Sequence, residues 1–284
     1  MTDLYLAVGQ AGDDLFHDDQ HLPRALAAQG IQAEACDWKR IEPDGTPVLI
    51  RTPWDYAQHA MRFMGWLDAL DAAGSPVLNP TDVLRWNLDK RYLLDLEVKG
   101  HAIVPTRAVR SLDKAVETAE RAGWSDAIAK PVIGGGAEGL HRIQDGQLME
   151  VNADANPWGA AGATGRVLVQ PYLPEIQDGE WSLYFFGGTY SHAVRKTPAS
   201  GDFRIQEEHG GTTRAATPPG HVLDEATAIA ADVPDALYAR VDGVVVEGRF
   251  LLMELELIEP ELYFRYAEGA EARFARAVAD ALRA

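Results

Sequence analysis

The strongest constraint on this chain is a change of hydrophobic rhythm along it. In the first third, short apolar runs alternate with segments of helical spacing. LYLAV (4–8) reads as a buried strand, 21–29 as a short helix ended by Gly30, and 31–35 and 48–51 as the next strands. Residues 59–73 place Met61, Met64, Leu67 and Leu70 at helical spacing, and Gly74 stops them. Strands alternating with helices imply a parallel sheet. The last third changes to period two. WSLYFF (181–186), Gly187-Gly188 and TYSHAVRK (189–196) have the pattern of a hairpin. VDGVVVEGRFLLMELELI (241–258) is a second hairpin, turning near Gly248, and the tail 268–283 is helical.

Between these halves the pattern is mixed. A helix is expected over 81–99, with Asp82 as N-cap and Gly100 as stop. A strand over 103–109, a helix over 112–123 capped by Ser111, and a strand over 127–132 follow. Residues 134–139 form a glycine-rich loop, and the Ala-, Gly- and Asn-rich stretch 150–165 reads as an irregular connection. The expected division is a small parallel α/β domain over 1–80, a central domain over 81–168 and a C-terminal domain over 169–284.

Charge and cysteine content narrow the function. With 43 acidic against 26 basic residues the formal net charge is −17. That field opposes a nucleic-acid backbone, which needs clustered Lys and Arg, and it disfavours anionic membranes. Cys36 is the one cysteine, so neither an intrachain disulfide nor a cysteine zinc site can form. The N-terminus lacks a signal-peptide pattern and no apolar run is long enough to span a bilayer, so a cytoplasmic protein is expected.

Three local patterns carry chemistry. First, Lys130 ends a strand and precedes Gly134, Gly135, Gly136 and Gly139. Side-chain-free backbone N–H groups can close on phosphate oxygens, and the lysine adds charge to the same phosphates. The order excludes a Walker A loop, where Lys directly follows the last Gly, and a protein-kinase loop, which precedes its lysine. An ordinary turn beside a surface lysine fits the residues equally. Second, Glu254 and Glu256 share one face of a strand at a spacing of ~6–7 Å, with Asp242 on the partner strand. Hard oxygen ligands of this kind suit Mg²⁺ shared with substrate phosphates, and a solvated strand face gives the same alternation. Third, Arg195, Lys196, Arg204, His209 and Arg214 cluster around Gly210 and Gly211. The partner of such a patch is anionic, a phosphate or a carboxylate, unless the loop is simply a flexible surface.

Taken in order, these elements resemble the ATP-grasp superfamily, in particular the glutathione-synthetase and ribosomal-protein-glutamate-ligase type. RWNLDK resembles the segment of the first ATP lysine, here Lys90; AIAKP resembles the second, here Lys130. VLVQPYLPEI resembles the hinge that binds adenine, which implies Gln170, Tyr172 and Leu173, and Glu180 falls where the family places an acidic residue on the ribose. RKTPASGDFRIQEEHGG implies that Arg195 and Arg204 bind the transferring phosphate or the substrate, with His209, Gly210 and Gly211 near the substrate. RVDGV and LLMELEL imply Asp242, Glu254 and Glu256 as metal ligands, although Glu256 replaces the usual Asn. RTPWDY, LNPTDVLRWNLDKRYL and ELELIEPELYF also resemble ATP-grasp cyclo-ligases of the D-cycloserine-forming type. Arg51, Trp54 and Asp55 sit at the end of a predicted third strand, the edge that faces the ligand crevice in an open α/β sheet, or pair there to fix a turn.

The resemblance implies an α/β, α+β fold: a parallel domain followed by two subdomains that sandwich ATP. It implies an ATP- and Mg²⁺-dependent ligase that activates a small carboxylate, an amino acid or derivative, as an acyl phosphate for attack by an amine. The alternatives are intramolecular ring closure and a small-molecule kinase. A homodimer is a fold-level expectation.

Overall fold

The computed structural model describes residues 2–9, 14–135, 139–150, 165–199, 204–205, 210–233 and 235–284. The stretch 151–164, most of the connection expected to be irregular, lies outside them, as do Gly136 and His209.

The alternating first third builds a parallel sheet ordered β2-β1-β3-β4, from β1 (Leu4–Val8), β2 (Ala33–Asp37), β3 (Val48–Thr52) and β4 (Val77–Leu78). The second strand lies two residues beyond its expected place. Between strands run α1 (Leu22–Ala27) and α2 (Ala60–Ala73), the latter ended by Gly74, whose N–H bonds back to Leu70 and Asp71. Residues Trp54–His59 form a short 3₁₀ turn ahead of α2.

The expected helix over 81–99 is two helices, α3 (Thr81–Leu88) and α4 (Tyr92–Val98). Pro80 rather than Asp82 is the N-cap; Asp82 sits in the first turn. The break falls at Asp89, whose backbone is extended (φ −100°, ψ 110°), and Lys90 N–H donates to Val132 O at 2.7 Å. Helical spacing continues across the break, so periodicity alone does not register it.

The central sheet is antiparallel, ordered β5-β9-β6-β7-β8: β5 (Arg107–Val109), β6 (Asp126–Pro131), β7 (His141–Gln144), β8 (Gln147–Glu150) and β9 (Val167–Pro171). Helix α5 (Leu112–Arg121) covers it, with Ser111 Oγ accepting from Lys114 N–H. The expected strand over 103–109 keeps only its end in this sheet. Its start bridges elsewhere, Val104 N–H donating to Leu252 O at 2.9 Å. The division expected at 168/169 falls inside β9.

The C-terminal sheet is ordered β12-β11-β10-β13-β14: β10 (Glu180–Phe186), β11 (Thr189–Thr197), β12 (Thr212–Ala215), β13 (Tyr238–Val246) and β14 (Arg249–Glu256). The β13–β14 turn carries Glu247 and Gly248 at φ 50° and 80°, the left-handed pair that a twisted two-residue hairpin requires. Helix α6 (Gly220–Ala231) packs on one face, together with Leu93 and Leu96 of α4. Helix α7 (Ala270–Ala281) packs on the other, between Tyr184, Phe186 and Tyr238 and the Leu4, Leu6, Leu22 and Leu26 of the N-terminal unit. One apolar core therefore ties the parallel sheet to the C-terminal sheet, and burial of these side chains at ~1.5–3 kcal/mol each fixes their relation. Among the described residues no helix is long and apolar enough to cross a membrane.

Candidate active site

The period of two along the C-terminal strands gathers the chemistry onto one face. Ser182 pairs with Asp242, and Asp242 with Glu254; Glu180 pairs with Lys196, and Arg240 with Glu256. Apolar neighbours Leu183, Val241 and Leu255 turn into the core on the opposite face. A register shift falls between Asp242 and Gly243. No side chain fits at Gly243, where a Cβ would lie 2.4 Å from Leu251 O and from the Phe250 ring. The glycine lets β14 close against the strand at the point where Asp242 turns toward the cavity.

This polar face floors a cavity of about 760 Å³. The central sheet contributes Lys130, Gly134, Gly135 and the hinge residues Gln170, Tyr172 and Leu173. The α3–α4 break brings Lys90, and the N-terminal unit adds Trp54, Asp55 and Tyr56. Arg204 also lines it. Residues from all three sheets thus converge on one space of a size suited to a nucleotide.

The hinge is held from below. Gln170 is buried, its amide donating to Thr106 Oγ1 at 2.9 Å, and Tyr172 N–H donates to Asp126 O at 3.0 Å. The Arg142 guanidinium lies 4.4 Å from the Tyr172 ring centroid, itself forked onto Asp126. Tyr172 and Leu173 therefore form a stiff wall.

Charge is dense and mostly compensated. Lys90 pairs with Glu254, and Arg240 with Glu256 and with Asp242, the last at 2.9 Å. Ser182 Oγ donates to Asp242, and Lys196 meets Glu180 at 3.1 Å. Burial raises the Asp242 carboxyl, but Arg240 and Lys196 outweigh it and hold the group below its ordinary value. Burial pulls Lys196 down, and Asp242 and Glu180 more than restore it. Lys130 has no such partner among the described residues. Burial, reinforced by the neighbouring Lys90, pulls its ammonium down to about 7. Burial also lowers Lys90.

Several sequence expectations need correction. Arg51 does not reach the cavity: it is fully buried, forked onto Asp19 at 3.1 and 3.2 Å, between the Tyr238 and Phe274 rings. A strand end in a parallel sheet also faces the domain interface, and this side chain points there. Arg195 is also outside the cavity wall; its guanidinium lies 5.1 Å from the Trp181 ring centroid. Successive strand side chains point to opposite faces, so Lys196, not Arg195, meets the site. Gly139 (φ 70°), whose carbonyl accepts from His141 Nδ1, does not line the cavity, nor do Gly210 and Gly211. Trp54 and Asp55 do line it, but Asp55 is engaged by Trp38 Nε1 at 2.8 Å and by Lys39. Asp242, Glu254 and Glu256 lie side by side without converging: among the described residues no group of three His, Cys, Asp or Glu forms a metal cluster. Glu254 is drawn to Lys90 instead, and Asp242 and Glu256 share Arg240. Glu254 and Glu256 remain partly open to the cavity, which suits Mg²⁺, an ion that takes one or two carboxylates and completes its shell with substrate phosphates and water. Asp242, buried among Arg240, Ser182 and Lys196, is the least available of the three.

Sequence reasoning missed Arg240, Glu259, Glu261 and Tyr263 of the cavity wall. Arg240 was legible, two positions from Asp242 on the same strand face. The others sit on the strap after β14, which has no period. Six consecutive carbonyls of that strap are each held by a different side chain. Leu257 O accepts from Asn79 Nδ2 (2.8 Å), Ile258 O from the Tyr238 hydroxyl (2.9 Å) and Glu259 O from Trp54 Nε1 (3.2 Å). Pro260 O accepts from Arg51 Nη2 (3.2 Å), Glu261 O from Arg240 Nη1 (3.3 Å) and Leu262 O from His192 Nε2 (2.9 Å).

Residues 4–79 match the N-terminal domain of the D-cycloserine synthetase DcsG, and residues 96–252 match the ATP-grasp domain of prokaryotic glutathione synthetase. The chain is 30% identical over 292 residues to the cycloserine biosynthesis protein DcsG of Streptomyces lavendulae, covering 94% of each. It is 28% identical to the glutathione synthetase of Synechococcus elongatus over 64% of this chain and 52% of that one. The crystal structure of DcsG superposes with a TM-score of 0.80 at 26% identity, covering 98% of this chain and 99% of that one. A RimK-domain ATP-grasp protein from Sphaerobacter thermophilus, at 17% identity, 98% coverage of each and a TM-score of 0.68, shares the fold. The chain belongs to the ATP-grasp family and is an ATP- and Mg²⁺-dependent ligase that joins a carboxylate to an amine nitrogen.

Proposed function

We propose that this ligase activates the carboxylate of a small amino-acid derivative. The carboxylate oxygen attacks the γ-phosphorus of ATP, giving an acyl phosphate and ADP. An amine nitrogen then attacks the acyl carbon, the C–N bond forms, and the C–O bond to phosphate breaks with its electron pair leaving on phosphate. Lys90 and Lys130 hold and neutralise the transferring phosphates, and Gln170, Tyr172 and Leu173 receive the adenine. Arg204 is the cation we assign to the developing charge. When bound, Mg²⁺ polarises the phosphate oxygens; Glu254 and Glu256, with Asp242 behind them, are the residues that would hold it. Gly134 and Gly135 supply flexible backbone over the phosphates and help exclude water from the acyl phosphate. Such catalysis is positioning and electrostatics, and needs no side-chain nucleophile.

The observation that carries this reading is Lys130. An ammonium without an ion partner among the described residues, beside a second lysine in a cavity rich in carboxylates, is stabilised by an arriving polyanion. A finer reading, closure of a ring within one substrate, is favoured by the match of the N-terminal residues as well as the ATP-grasp core to DcsG.

The test is ADP release with MgATP against D-alanine, D-serine, O-ureido-D-serine and other amino-acid derivatives, with mass spectrometry of products and Glu254→Ala alongside. Substrate-dependent ADP with a coupled product supports intermolecular ligation; a dehydrated or cyclised product supports ring closure. A stable phosphorylated end product would replace the ligation step with simple phosphoryl transfer.

A further inference from the structure

The charges around the cavity are balanced with one exception on the acidic side. Among the described residues seven carboxylates line it. Six meet a cation: Asp55 meets Lys39, Glu180 meets Lys196, Asp242 and Glu256 meet Arg240, Glu254 meets Lys90, and Glu261 meets Arg265 at 2.5 Å. Glu259 forms no ion pair among the described residues. The Tyr56 hydroxyl favours its charged form, and a Cβ at Gly135 of the glycine loop would lie 3.6 Å from its Oε1. The strap that displays it is held rigid by the six carbonyl contacts described above. Both neighbouring carbonyls, Ile258 O and Pro260 O, are bonded to buried side chains, Tyr238 and Arg51. The position is therefore fixed, and the carboxylate is presented to the cavity rather than folded onto a protein cation.

A carboxylate placed in a low-dielectric space without a cation is costly unless a ligand supplies one. The same logic that assigns an anion to Lys130 assigns a cation to Glu259. We propose that Glu259 binds the ammonium group of the amino-acid substrate, with Tyr56 orienting its carboxylate and with Trp54 and Arg51 positioning the strap. This rests on the ligase reading and makes it specific: the substrate carries a positive charge in addition to the carboxylate that is activated. The strap then discriminates amino acids from hydroxy or des-amino acids of the same shape. The raised carboxyl agrees with an uncompensated site. Burial, with the adjacent Glu256 adding to it, pushes Glu259 up to about 7, and Lys90 and Arg240 restrain it only in part.

The experiment compares D-alanine, D-serine and O-ureido-D-serine with propanoate, 3-hydroxypropanoate and 3-(ureidooxy)propanoate, on the full chain with MgATP. Wild type, Glu259→Gln and Glu259→Asp are assayed by ADP release. For the amino acid that turns over, Glu259→Gln should raise KM about tenfold to a hundredfold, the loss of one charge-assisted hydrogen bond. Its KM for MgATP should stay within about twofold of wild type, which also shows a folded site. Glu259→Asp should restore part of the loss. KM for the matching des-amino acid, already high with wild type, should not rise further. An unchanged KM for the amino acid in Glu259→Gln, or an equal rise for both members of a pair, would overturn the ammonium assignment while leaving the ligase intact. A wild type that binds MgATP but releases no ADP with any of these compounds would overturn the reading that its substrate is a small amino-acid derivative, and this inference with it.

Discussion

Binding of ATP should draw a proton onto the protein at neutral and mildly alkaline pH, and Lys130 should be its destination. In the nucleotide-free protein burial and Lys90 hold the Lys130 ammonium at about 7. Phosphate oxygens against it would return it toward the ordinary lysine value of ~10.4. At pH 8 about one-tenth of the unliganded molecules carry the charge, so binding takes up about 0.9 proton; at pH 7 the uptake is about half a proton, and at pH 6 about 0.1. The sign follows. A lowered lysine is charged below 7, where ATP meets a ready cation, and is neutral above 7, where binding must first protonate it. Affinity should therefore fall as pH rises, by about a hundredfold between pH 6 and pH 9. Titration calorimetry in two buffers of different ionisation enthalpy reads the uptake directly, and Lys130→Met supplies the reference that removes protonation of ATP itself and of Glu259. Uptake at pH 8 below about 0.2 proton, or equal uptake by Lys130→Met, would refute the argument that Lys130 is the uncompensated phosphate ligand.

Other consequences are equally direct. Arg51→Ala leaves Asp19 buried without its cation and frees Pro260 O, so it should cost about 3–5 kcal/mol in urea unfolding, and raise KM for the amino-acid substrate more than KM for MgATP in what remains folded. Gly243→Ala forces the β13–β14 pair apart beside Asp242 and should cost about 1–3 kcal/mol, read as a lower urea midpoint at unchanged slope. Glu254→Ala frees Lys90 and removes a cavity carboxylate; turnover should fall at least about a hundredfold, with the circular dichroism spectrum unchanged. Arg195→Met, by contrast, should reduce turnover far less than Lys196→Met, because only the latter contacts cavity carboxylates; equal losses would show that the strand parity has been misassigned.

Much of the architecture could be read along the chain because it is written in local periods. Alternation of strand and helix signals before residue 80 required a parallel sheet, and Glu254 and Glu256 fell on one strand face because the period there is two. Lys130 was legible as a strand-end lysine before a glycine loop. Lys90 was found by resemblance, and the helix break that delivers it was not, since the apolar spacing runs unbroken through Asp89. Arg51 shows the reverse failure: its strand-end position was read correctly, but nothing local says whether such a side chain meets a ligand or a buried Asp19 contributed from 32 residues away.

The sequence by itself determined the strand–helix alternation of the first third, the two C-terminal hairpins and which of their strand faces are polar, properties that depend on neighbours within a few positions, where side-chain direction follows from backbone geometry; the ATP-grasp ligase was implied by the resemblance of its ordered motifs. Only the tertiary structure decided which charges are compensated. Lys90 finds Glu254 at a separation of 164 residues, Pro260 is gripped by Arg51 across 209, and Glu259 is left without a cation while Glu256 and Glu261 acquire theirs. Coulomb energy and desolvation depend on distance in space and on what excludes water, and neither quantity is carried by position along the chain.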